Sequence, residues 1–171
     1  QPLIPIQLLW INLVTDSLPA MALGTEKTEK DIMERNPISP KKGFFSDGLW
    51  LDIMLEGLLI GILTLLAFSI GNLIFGSEAL GRTMAFATLS FSEIAHAVNM
   101  RSSQPLYKTG FFSNRMMNIA VAVCVGVQSA VMLIPRLSGI FGTVPMTGTQ
   151  WVIVVLLSLA TLTVGEIGKM A

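Results

Sequence analysis

The sequence predicts an all-α protein, a polytopic transmembrane bundle of five spans, and three observations carry that prediction. Hydrophobic residues make up 52% of the 171 residues, and charged residues only 13%. Soluble domains usually hold about 25% charged residues, so the deficit points to lipid. The mean hydropathy is +0.68, and five apolar runs approach the length of about 20 helical residues that a bilayer core requires.

In chain order the expected spans are 3–23, 49–75, 83–100, 116–134 and 151–168. Gly24 closes the first. Ser46 or Asp47 caps the second and Gly76 stops it. Ser113 or Asn114 caps the fourth, which Pro135 ends. Trp50 and Trp151 fall where interfacial aromatics are expected. The third span is diluted by Ser90, Ser92, Glu93, His96 and Asn99. Gly57 and Gly61 form a GxxxG pair, which predicts a close-packing surface on the second span.

Charge supplies orientation. Lys27, Lys30, Arg35, Lys41, Lys42, Arg101, Lys108, Arg115 and Lys169 lie on one side of the predicted bundle, and only Arg82 and Arg136 on the other. By the positive-inside rule, the first, third and fifth spans end in the cytoplasm. That leaves a cytoplasmic loop over 25–48 and a first span that begins outside. The loop is longer than a helix–helix turn needs, so docking onto a cytoplasmic domain is one reading of it. The formal net charge is zero, which gives no bias toward nucleic acid; the lipid bilayer of the cell membrane is the expected surrounding. A single cysteine, Cys124, excludes an intramolecular disulfide and is read as a small packed residue. The chain starts at Gln1 without a Met or a signal-peptide pattern, and the expectation is a piece of a longer protein.

The chemistry lies in polar residues within the apolar runs. Asn12, Thr15 and Asp16 are spaced i, i+3, i+4, which on an α-helix sets all three on one face. Pro19 has no N–H, so the Thr15 carbonyl loses its helical donor and becomes a further oxygen. This is a hard-oxygen set suited to Ca²⁺. Broken helices at membrane depth commonly line ion sites. Glu93 is a second intramembrane carboxylate, with His96 one turn on as a candidate proton relay. Glu56 is read as interfacial without a ligand role, and Glu166 with Lys169 as a local ion pair.

These segments resemble a known family. "PLIPIQLLWINLVTDSLPAMALG" is similar to the sixth transmembrane helix of P-type cation-transporting ATPases of the calcium-pump type, and "DIMERNPISPKKG" to the loop that follows it. "TMAFATLSFSEIAHAVNMRS" resembles the eighth helix and "VGEIGKM" the end of the tenth. The resemblance spans helices six to ten. It implies that Asn12, Thr15 and Asp16 are calcium ligands, that Asp16 is shared between ions in two-site pumps, and that Glu93 belongs to the first site. Asn12 stands where sodium–potassium pumps typically have Asp, which favours calcium. His96 departs from the Asn usual in animal calcium pumps. The resemblance places ATP, Mg²⁺ and the phosphorylated Asp in other parts of such a pump, so no catalytic residue is expected here. A secondary cation/proton antiporter segment and a purely structural helical scaffold are the alternatives.

Overall fold

The computed structural model describes residues 1–26, 33, 49–102, 104–110 and 112–169. Lys27, Lys30, Arg35, Lys41 and Lys42, the capping residues Ser46 and Asp47, and most of the expected 25–48 loop lie outside them. All regular structure among the described residues is helical.

The first span is built in three pieces. Helix α1 (Pro5–Trp10) opens with proline in its first turn, where the missing N–H costs no helical bond. A wide π-helical stretch follows over Ile11–Asp16, and α2 (Ser17–Leu23) completes the span. Pro19 sits in the first turn of α2, where proline is tolerated. The expected break is therefore real in its effect but earlier in the chain, spread over the turn that carries Asn12, Thr15 and Asp16.

Helix α3 (Leu49–Ser69) runs into a second wide stretch, Ile70–Ile74, and Gly76 reverses the chain at φ +69°. Helix α4 (Glu78–Asn99) is capped by Ser77, whose Oγ accepts from the Leu80 N–H at 3.3 Å. A single turn, α5 (Leu106–Thr109), precedes α6 (Arg115–Leu133), which Asn114 caps by accepting from the Met117 N–H at 3.0 Å. Ile134 is extended ahead of Pro135, as residues before proline tend to be. Pro135 then starts a further short helix that the sequence reading did not include, α7 (Pro135–Phe141). Helix α8 (Gly148–Gly168) begins three residues before the expected start, because Gln150 Oε1 accepts from the Thr147 N–H at 2.7 Å.

Among the described residues, four stretches are long and apolar enough to cross a membrane: Pro5–Leu23, Ile53–Ile74, Arg115–Leu133 and Gly148–Gly168. The third expected span, 83–100, falls in α4, which has the length, 22 residues, but not the composition. Its position explains why. Thirteen of its residues are buried by other helices, among them Met84, Phe86, Thr88, Ser90 and Ser92. Surrounded by protein, α4 has less need of lipid-compatible side chains.

Small residues and hydrogen bonds hold the bundle around α4, as expected where lipid removes the hydrophobic drive between helices. Ser158 Oγ approaches the Thr88 carbonyl at 3.3 Å and Thr161 Oγ1 the Ser92 carbonyl at 3.5 Å. Asn99 Nδ2 donates to the Thr161 carbonyl at 3.2 Å and lies over Gly165, where a Cβ would strike it. On the other side, the end of α3 meets α4 through Gly71 and Gly81. A Cβ on Gly81 would stand 2.6 Å from the Phe68 carbonyl oxygen. Gly57 and Gly61, the expected close-packing pair, have nothing within 4 Å of a Cβ. The spacing was suitable, but no described helix packs on that face.

Gly81→Val should therefore destabilise the folded protein by about 1–3 kcal/mol through overpacking, whereas Gly57→Ala should leave it unchanged. Thermal unfolding of both variants in detergent checks this, and equal effects would contradict the packing described.

Candidate cation site

Glu93 lies on α4 where that helix meets the wide turn. Thr15, only 1% exposed, donates its hydroxyl to the Ile11 carbonyl at 2.8 Å and lies 3.3 Å from Glu93 Oε2. Asp16 is close enough to Glu93 for the two carboxyl groups to interact. Val14, also in the wide turn, accepts from the Cys124 thiol of α6 at 3.3 Å. The turn is thus held by α4 through a side chain and by α6 through its backbone. Cys124, read from sequence as packing alone, also touches the turn that holds the candidate ligands.

The wide turn alters how its polar residues are displayed. With i→i+5 bonding, each turn contains more residues than an α-helix, so the i, i+3, i+4 face is opened out. Thr15 is buried against Glu93, while the side chains of Asn12 and Asp16 are exposed on the described bundle. Ser17 Oγ donates to the Asn12 carbonyl at 3.2 Å, which takes up one backbone oxygen in this turn. The structure brings Thr15, Asp16 and Glu93 together, and Asn12 is exposed on the same wide turn.

His96 has a different neighbour from the one expected. Its Nε2 is 3.6 Å from Glu56 Oε2 on α3. Glu56, read as interfacial, is therefore the carboxylate opposite the imidazole. Periodicity along α4 sets His96 near Glu93 but cannot reveal what α3 presents to it.

Further polar residues, passed over in the sequence, anchor the N-terminal end of the first span. Gln7 is fully buried and donates Nε2 to the Phe141 carbonyl at 2.9 Å. Trp10 Nε1 donates to Gln128 Oε1 at 2.9 Å, and its ring meets that of Phe141 edge-on at 5.0 Å. A glutamine within an apolar run was the available signal, since a buried amide needs a hydrogen-bond acceptor.

Among the described residues no group of three or more His, Cys, Asp or Glu converges as a metal cluster. Two carboxylates, a hydroxyl and an open amide remain. Such oxygens suit a hard cation and offer little to a thiophilic metal.

Comparison with known proteins identifies the family. The family model described as "Cation transporting ATPase, C-terminus" matches residues 1–171. The chain belongs to that family. Calcium-transporting ATPase 1 of Bacillus cereus is 36% identical over 187 residues, covering 99% of this chain and 21% of that protein. The calcium-transporting ATPase of Bacillus subtilis is 40% identical over 160 residues, covering 90% and 17%. A calcium-transporting ATPase of Listeria monocytogenes is 38% identical, covering 98% and 19%. The chain thus spans about a fifth of the length of these relatives. As a member of this ATPase family it carries, within the membrane region, the polar turn and the α4 carboxylate described above.

Two juxtaposed carboxyl groups repel when ionised, and removing one should help the fold while no cation is present. With chelator, Glu93→Gln is expected to raise the thermal midpoint, whereas Thr15→Val should lower stability by about 1 kcal/mol through loss of an interhelical hydroxyl contact. Scanning fluorimetry reads both signs. A fall in both variants would contradict the arrangement.

Proposed function

We propose that this chain is part of the membrane domain of an ATP-driven calcium pump and that it supplies ion ligands for Ca²⁺ export from the cytoplasm. The observation that carries the reading is the meeting of Thr15 and Asp16 with Glu93, three hard-oxygen side chains from two helical segments of membrane-spanning length. Asn12, exposed on the same wide turn, completes the proposed set from this chain. Ca²⁺ takes 6–8 oxygens at about 2.3–2.6 Å, so further ligands come from other parts of the pump. The open sides of Asn12 and Asp16 are where such segments would approach. ATP and Mg²⁺ bind elsewhere in the pump, and the residues of this chain perform no phosphoryl chemistry. The names of the relatives favour a pump over an antiporter segment or an inert scaffold.

The ends of the helices support the proposed orientation. The end of α2, the loop after α4 and the start of α6 meet through Glu26, Arg101 and Asn114. The end of α8 joins them, since Lys169 Nζ donates to the Asn99 carbonyl at 2.7 Å and Glu166 accepts from the Leu106 N–H at 2.7 Å. The expected Glu166–Lys169 pair forms at 2.9 Å and helps tie three elements together. Arg101, Lys108, Arg115 and Lys169 therefore share one end, which we assign to the cytoplasm of a cell-membrane protein.

Two experiments test this reading. In the full-length pump, Asp16→Asn should abolish Ca²⁺-dependent phosphorylation from ATP; undiminished Ca²⁺ dependence would remove Asp16 from the ligand set. Cysteines replacing Lys108 and Arg136 should react with an impermeant maleimide from opposite sides, position 108 only from the cytoplasm. Labelling of position 108 in sealed cells would reverse the topology.

A further inference from the structure

The two helices that meet at Thr15 and Glu93 meet again at their far ends, through charged side chains. Arg101 lies two residues beyond α4, and Glu26 three residues beyond α2. Arg101 donates Nε to Glu26 Oε2 at 3.0 Å and Nη2 to Oε1 at 3.2 Å, a forked pair that fixes the plane of the carboxylate. The Arg101 side chain is 0% exposed and that of Glu26 15%. Arg101 Nη2 also donates to Ser113 Oγ at 2.6 Å. Asn114 performs three tasks: its Oδ1 caps α6, and its Nδ2 donates to Glu26 Oε2 at 2.7 Å and lies 3.4 Å from the Ala22 carbonyl of α2. Below this knot Ala22 packs against Met117 and Ala120 of α6.

A buried ion pair contributes little net stability compared with apolar packing, because desolvation offsets the attraction. Its geometric effect is different. A forked guanidinium tolerates little displacement of its carboxylate, so the pair sets how far α2 can slide or turn relative to α4. Asp16 lies ten residues before Glu26, and Glu93 eight residues before Arg101. At about 1.5 Å per helical residue, displacements at the knot reach the carboxylates about 12–15 Å away with little loss. The outer end of the span is already held by Gln7 on Phe141 and Trp10 on Gln128.

We propose that Glu26 and Arg101 are positioning residues for the cation site, holding the helix of Thr15 and Asp16 at the separation from Glu93 that ion binding requires. Neither touches the ion. This inference rests on the calcium-pump reading and adds to it a pair of residues that set ion affinity from outside the ligand shell. A pair that only stabilised the fold would reduce the amount of active pump. A positioning pair shifts the Ca²⁺ concentration at which the pump works.

The test measures ATP hydrolysis by the purified full-length pump against free Ca²⁺. Glu26→Gln should raise the half-maximal Ca²⁺ concentration about tenfold, while the maximal rate per folded molecule stays within about twofold. Arg101→Lys keeps the charge but loses the fork, and should give a smaller shift in the same direction. The double variant Glu26→Gln/Arg101→Gln, which removes both charges of the pair, should bind Ca²⁺ no better than Glu26→Gln. If Glu26→Gln gives no folded pump, the Arg101→Lys and double variants are read in its place. An unshifted Ca²⁺ dependence in the folded variants, or a lower maximal rate alone, overturns the positioning role while leaving the pump reading intact. Wild-type hydrolysis that ignores Ca²⁺ would overturn both.

Discussion

A carboxylate within the depth of a bilayer has to be enclosed by protein or water, and the contact between Glu93 and the Thr15–Asp16 turn is how this bundle meets that constraint. The requirement accounts for the role of α4. A helix bearing Glu93, His96 and several hydroxyl groups is poorly suited to lipid, so α4 takes the interior and α3 and α8 cover it. The hydroxyl and amide contacts along α8 and the bare Gly71–Gly81 crossing follow from that placement. Lipid-facing helices can then be plain: α8 buries only Gln150, Val154, Ser158 and Thr161.

The first span shows how a local irregularity is kept from spreading. Its wide turn gives up regular α-helical bonding over Ile11–Asp16. On one side of that turn Gln7 and Trp10 are fastened to α7 and α6, and on the other Glu26 is gripped by Arg101 and Asn114. With both ends held, the turn remains free to present oxygen atoms without the whole helix drifting. Wide turns recur at functional sites, and here the turn coincides with the proposed ligands.

Much of this was legible in the sequence, and the omissions have physical causes. Asp16 and Glu93 stood out because ionisable residues in apolar runs are costly, and hydropathy placed the helices within a few residues. Periodicity assigns a face but names no partner across the bundle. The Thr15–Glu93 contact joins residues 78 positions apart, and the Glu26–Arg101 pair was hidden among charges read as loop residues. Pro19 announced a break, yet the widening settled over the residues before it. Gly57 and Gly61 had the spacing of a packing motif, while Gly71 and Gly81, on separate helices, form the actual crossing. Helix α7 escaped notice because Pro135 reads equally as the end of one helix and the start of another.

The central claim is that one cation-binding space lies between the wide turn and α4. A high-resolution map of the full-length pump in saturating Ca²⁺ addresses it directly. Density for a cation should lie within about 2.3–2.6 Å of carboxyl oxygens from both Asp16 and Glu93. Bound Ca²⁺ located elsewhere, with Asp16 and Glu93 both outside its coordination shell, would contradict the account.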